Sequence, residues 1–203
     1  MNPLEIIPFA GFIALVFLIT GRIFFLKRKG VNVSSGKHKS WGKKVLLYLV
    51  FLPVLMTWIF EIVKPAFQLS VSFLPEMVVK PTVSSTFLQV SGAVFIFAAL
   101  ILMILVLLHF KTSLRFGLDK NNPGDLVTSG IFSVSRNPFF LSLNLYFIGV
   151  AFIFPNLFFI GFVILAMVGI HFFILKEERF LNDVYSEAYS RYSQKVNRYF
   201  GKN

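Results

Sequence analysis

Two short polar stretches hold the side chains in this chain that could do chemistry. The first is Ser135-Arg136-Asn137-Pro138 and the second is Lys176-Glu177-Glu178-Arg179. A guanidinium beside a helix N-terminus suits a carboxylate or a phosphate, because the free backbone N–H groups and the full positive charge act on the same ligand. Paired carboxylates suit a cationic ligand, such as one with a sulfonium and an α-ammonium group. Each stretch also has a plain structural reading. Asn is a favoured N-cap and Pro a favoured first helical residue, so Asn137-Pro138 simply starts a helix, and spacing alone favours this. Two adjacent glutamates are equally a solvated pair neutralised by Lys176 or Arg179.

What joins the two stretches raises their standing. Residues 139–175 are almost wholly apolar and are broken only at Pro155-Asn156. Such a run folds as a helical hairpin that enters a membrane and returns. It brings Arg136 and the two glutamates back to one side, and charges kept at a membrane face by a buried hairpin form a site hypothesis.

The composition fits that setting. Of 203 residues, 56% are hydrophobic, 27 are Phe and only 14% are charged, which is membrane-protein composition. There is no Cys, so disulfides and thiolate metal sites are excluded. The net charge of +11 does not point to nucleic acid, because the basic residues cluster between apolar runs, as contact with an anionic leaflet requires.

The apolar runs predict an all-α, polytopic membrane bundle of five spans, at residues 6–26, 45–63, 86–108, 139–154 and 157–175. A cleaved signal peptide is the rival reading of the first, weakened by basic residues that follow the run instead of preceding it. Pro53 predicts a kink in the second. Residues 64–85, with Pro65, Pro75 and Pro81, are too interrupted to span; they either lie along the interface or cap the bundle. Leu181, Val184, Tyr185, Ala188, Tyr192 and Val196 recur at helical spacing and predict an amphipathic helix on the membrane surface. The chain divides into residues 1–109, with a basic loop at 27–44, and residues 110–203, which hold both polar stretches. Seventeen of the 20 basic residues fall in segments 27–44, 110–138 and 176–203. Five spans put all three on one face, which predicts a cytoplasmic site and an external N-terminus.

Other polar residues in the spans read as packing groups. His171, seven residues before Glu178, needs a polar partner within the bundle. His109 ends the third span, and His38 lies in a basic loop. No set of residues has metal-ligand spacing, so no metal is expected. Ser142 and Asn144 are expected to make helix–helix hydrogen bonds.

Together the stretches resemble the isoprenylcysteine carboxyl methyltransferase family and, more widely, its relatives among phospholipid methyltransferases. The carrying residues are Leu126-Val127-Thr128-Ser129-Gly130-Ile131-Phe132, then Arg136-Asn137-Pro138-Phe139-Phe140, then Glu177-Glu178-Arg179-Phe180-Leu181, then Tyr189 and Tyr192. They cover about half the chain, in family order and around the hairpin. Three positions depart from the family pattern: Asn137 stands for histidine, Phe140 for tyrosine and Ser142 for glycine. Asn137 can still hydrogen-bond a ligand, but it cannot titrate.

The resemblance implies S-adenosylmethionine as methyl donor, S-adenosylhomocysteine as product, and a lipid-like acceptor arriving from the bilayer. It implies that Leu126, Val127, Gly130, Phe132, Asn137, Pro138, Glu177 and Glu178 bind the cofactor, with Arg136 and Glu178 as catalytic residues. Glu177 or Glu178 would hold the ammonium group, and Arg136 a carboxylate of either cofactor or acceptor. Two other readings compete. One is an NADPH-dependent membrane sterol reductase, which shares a similar motif but is a longer type of chain. The other is a transporter or lipid-binding scaffold, although the repeat and paired broken helices of many transporters are missing.

Overall fold

The computed structural model describes residues 2–30, 49, 51–110 and 125–202. They form helices α1 (Ile7–Arg28), α2 (Leu52–Phe67), the short α3 (Glu76–Val79), α4 (Thr86–His109), α5 (Pro138–Ile153) and α6 (Leu157–Lys195). No β-strand occurs among the described residues. α1, α4 and α6 are each long and apolar enough to cross a membrane, and α5 is a shorter apolar helix of 16 residues. The chain is an all-helical membrane bundle. The expected spans coincide with α1, α4, α5 and the first half of α6. Pro53 sits in the first turn of α2, where its missing N–H is harmless. Most of the basic loop 27–44, and Lys111, Arg115 and Lys120, lie outside the described residues.

Apolar surface gives little drive to associate helices in lipid, so close packing must do so. Gly92 of α4 and Gly149 of α5 supply it. A Cβ at Gly92 would lie 2.6 Å from the Gly149 carbonyl oxygen, and one at Gly149 would lie 2.7 Å from the Gly92 oxygen. The two backbones touch there. Around Trp58 of α2, the rings of Phe12, Tyr146, Phe147, Phe159 and Phe162 join α1, α2, α5 and α6. The buried Tyr146 hydroxyl donates to the Pro8 carbonyl at 2.7 Å, which satisfies it within that cluster.

Residues 68–85 cap the bundle. The Thr82 amide and hydroxyl both donate to the Pro155 carbonyl at 2.7 Å, and Asn156 Nδ2 donates to the Val79 carbonyl at 3.1 Å. Asn156 Oδ1 meanwhile accepts from the Phe159 amide and caps α6. This closes the far end of the α5–α6 hairpin and fixes the direction in which α6 returns.

α6 runs past the expected end of its span near Leu175 and continues as one helix to Lys195, broken only at Ser186 (φ 45°, ψ −114°). Its tyrosine face does not simply lie on lipid. Tyr189, Tyr192 and Val196 are buried against Leu126, Leu181 and Tyr185. Sequence periodicity marks an apolar face but not what covers it; here the 126–137 loop covers it.

Replacing Gly149 by Ala should cost about 1–3 kcal/mol by forcing α4 and α5 apart. Denaturant titration in detergent checks this, and an unchanged midpoint would deny the backbone contact.

Candidate active site

At the open end of the hairpin, one carboxylate collects most of the nearby donors. Glu178, on α6, is buried. Its Oε1 accepts from Asn137 Nδ2 at 3.1 Å and faces Arg136 Nη2 at 3.5 Å. Its Oε2 accepts from Arg198 Nε at 3.0 Å and Nη2 at 2.8 Å, a two-pronged charge-assisted contact. The hairpin therefore returns Arg136 and the glutamates to one rim.

Asn137 occupies the N-cap position of α5, but its side chain makes no capping hydrogen bond. It turns instead to Glu178 and, at 3.2 Å, to the Arg198 carbonyl. The cap expected from sequence gives way because a buried carboxylate needs donors more than an open helix end does. Ser135 Oγ accepts from the Asn137 amide at 3.1 Å and holds the turn. Pro138 starts α5 as expected.

The loop before it is shaped by close contacts. Gly130 adopts φ +64°, and a Cβ there would overlap the His109 ring, so only glycine fits. Phe132 is buried with its ring 4.9 Å from that of Phe110, and its carbonyl accepts from the Tyr192 hydroxyl at 2.6 Å. Leu126 packs on the Tyr189–Tyr192 cluster, and Val127 beside it is half-buried. Phe140, at the family's tyrosine position, packs on Phe173, where a hydroxyl would have no role.

Arg198 is the member of the cluster that sequence reasoning missed as a site residue. It stands among other basic residues of an expected surface helix, and nothing in its spacing distinguishes it. His171 finds its polar partner in the same region: Nδ1 lies 2.6 Å from the Tyr199 hydroxyl. Asn144 Oδ1 is buried without a hydrogen bond among the described residues, so the expected helix–helix bond from that atom is not made. Ser142 Oγ bonds within its own helix, to the Phe139 carbonyl at 2.7 Å, and across to Met103 Sδ of α4 at 4.0 Å, the helix–helix contact expected of it.

Beside the saturated Glu178 lie three buried polar atoms with no hydrogen-bond partner of acceptable geometry among the described residues: Arg136 Nε, Glu177 Oε2 and Tyr189 Oη. Arg136 acts on the Tyr189 hydroxyl by its charge and as a hydrogen-bond partner outside strict geometry, and both glutamates act on it by charge, so the group is local. Burial, then the charge of Glu178, pushes that hydroxyl up to about 12 and keeps it a donor. Burial, then Glu178, also pushes the Glu177 carboxyl up to about 7. One guanidinium N–H, one phenol and one carboxylate complement the carboxylate and ammonium of a free amino-acid group.

The fold and this rim define a helical membrane protein that gathers its charged groups at one end of a buried hairpin. Residues 88–188 match the family model of phospholipid methyltransferases, and through that region the chain belongs to the phospholipid methyltransferase family. The matched stretch runs from α4 through the hairpin to the glutamates, so a membrane methyltransferase is what sequence and fold describe together. Neither a curated protein nor a solved structure matches the chain significantly.

Two outcomes follow from the charges. Glu178→Ala strands the Arg136 and Arg198 guanidiniums and should destabilise by about 2 kcal/mol, less than for a fully buried pair because Arg198 is one-third exposed. Unfolding of the detergent-solubilised protein measures it, and wild-type stability would refute the shared-carboxylate arrangement. Glu177 holds its proton more tightly folded than unfolded, so its contribution is full below pH 4.5 and is lost as pH rises through about 7. Glu177→Gln should flatten the fall in stability over that window; an identical pH profile would deny the shift.

Proposed function

We propose that the protein is an S-adenosylmethionine-dependent methyltransferase whose acceptor is lipid-like, of the prenylcysteine carboxylate or phospholipid amine type. The observation that carries this reading is the trio of buried atoms without a well-aligned hydrogen bond, Arg136 Nε, Glu177 Oε2 and Tyr189 Oη, beside a Glu178 whose own oxygens are taken. Unsatisfied buried polar atoms are costly, and a ligand that satisfies all three at once removes the cost. The amino-acid end of S-adenosylmethionine has that chemistry. When bound, this donor supplies a methyl group already activated by its sulfonium charge.

The chain's own residues then have distinct tasks. Glu177 takes the ammonium group, while Arg136 and Tyr189 take the carboxylate. Glu178 orients Arg136 and Asn137 and stays structural, a narrower role than direct catalysis. The Leu126–Phe132 segment, drawn close by Gly130, walls the donor pocket and excludes water. Asn137 has a donor amide in the family's histidine position and takes no proton, which suits a carboxylate acceptor, since that has no proton to lose and needs no base. Alignment of acceptor and methyl then supplies most of the rate.

The distribution of basic residues supports a cytoplasmic site and an external N-terminus. In the described part, Lys27, Arg28 and Lys29 end α1 at the Glu178 end of the bundle, while Lys64 and Lys80 lie towards the other. The anionic inner leaflet would attract the richer face.

Calorimetry on the purified protein tests the assignment. Wild type should bind S-adenosylmethionine, and Glu177→Gln and Arg136→Ala should each bind at least about tenfold more weakly. Equal affinity in all three would remove it. Membranes supplied with labelled methyl donor should then show which lipid gains label.

A further inference from the structure

Residues 196–202 follow α6 and fold back on themselves. Val196 and Lys202 form an isolated antiparallel bridge, and the Asn197 amide donates to the Gly201 carbonyl at 2.9 Å. This strap is bound to the very loop that precedes α5. The Arg136 amide donates to the Asn197 carbonyl at 3.1 Å, the Gly201 amide to the Val134 carbonyl at 2.8 Å, and Asn137 Nδ2 to the Arg198 carbonyl. Tyr199 ties it to His171 on the membrane hairpin, with rings stacked at 24°. Arg198 then reaches inward with two nitrogens on Glu178 Oε2.

We propose that residues 196–202 are a clamp on the donor site, with Arg198 as its positioning residue. By holding Glu178, Arg198 fixes the Arg136–Asn137 corner in an arrangement in which Arg136 Nε, Glu177 Oε2 and Tyr189 Oη have no well-aligned partner of their own and can turn to a ligand. Without that grip, the released Oε2 of Glu178 adds to the contact that Oε1 already makes with Arg136, and draws that guanidinium away from the donor. The strap's backbone bonds and its inward ion pair act together: the first place Arg198, and the second locks the loop to which the strap is bound.

The clamp's link to the donor rests on the methyltransferase reading, but its structural half does not. Hydrogen exchange and donor binding on the full chain in detergent therefore test it in two arms, with Arg198→Ala and Arg198→Lys. In Arg198→Ala the amides of Arg136, Asn197 and Gly201 should lose protection at least about tenfold, while those of α4 and α5 hold. S-adenosylmethionine should bind about tenfold more weakly, with the KM of the acceptor unchanged. Arg198→Lys keeps the charge but loses the two-pronged grip, so it should recover the amide protection in part and donor affinity incompletely. Wild-type protection and affinity in Arg198→Ala would overturn the proposal. So would a uniform loss of protection in both variants, which means a general folding role. If the wild type binds no donor while the three amides still deprotect, the methyltransferase reading fails and the clamp on the 134–137 loop stands.

Discussion

A carboxylate placed at the mouth of a membrane hairpin must be neutralised where it lies, because moving it to water would unwind the helix that carries it. Glu178 is that carboxylate. Two separate pieces of chain supply its donors, the loop before α5 with Arg136 and Asn137 and the strap with Arg198, while α6 carries the acid itself. The need to neutralise one buried charge thus joins parts of the sequence that hydropathy leaves unrelated. It also explains why the Asn137 side chain abandons its helix end.

The hairpin makes this meeting possible because its far end is closed without slack. Thr82 and Asn156 lock the α5–α6 turn to the 68–85 segment, and the Gly92–Gly149 contact seats α5 on α4. Rigid packing at both places sets where Glu177 and Glu178 emerge. A rim whose buried polar atoms lack well-aligned hydrogen bonds needs such rigidity, since a loose frame would let those atoms find one another.

Much of this was legible in the sequence. Four of the five spans were, because long apolar runs have few other uses; the one expected at 45–63 lies partly outside the described residues. The joining of Arg136 with the glutamates was also legible, since a hairpin of two matched spans must return to its starting side. Three things were not. Asn137 has the residue type and neighbour of a helix cap, and only the position of Glu178, 41 residues on, reveals its other task. The tyrosine face of α6 reads as amphipathic whether lipid or protein covers it. Arg198 lies just past Val196, the last periodic residue of the expected surface helix, in a strap held by backbone bonds that leave no trace in residue type.

The account rests on a hairpin that crosses the bilayer and comes back. The chain has no native cysteine, so single cysteines report on it cleanly. In sealed vesicles of one orientation, an impermeant thiol reagent should label Ser129→Cys and Glu187→Cys from the same side, and Lys80→Cys only from the other. Labelling of Ser129→Cys and Glu187→Cys from opposite sides, or of all three from one, would contradict it.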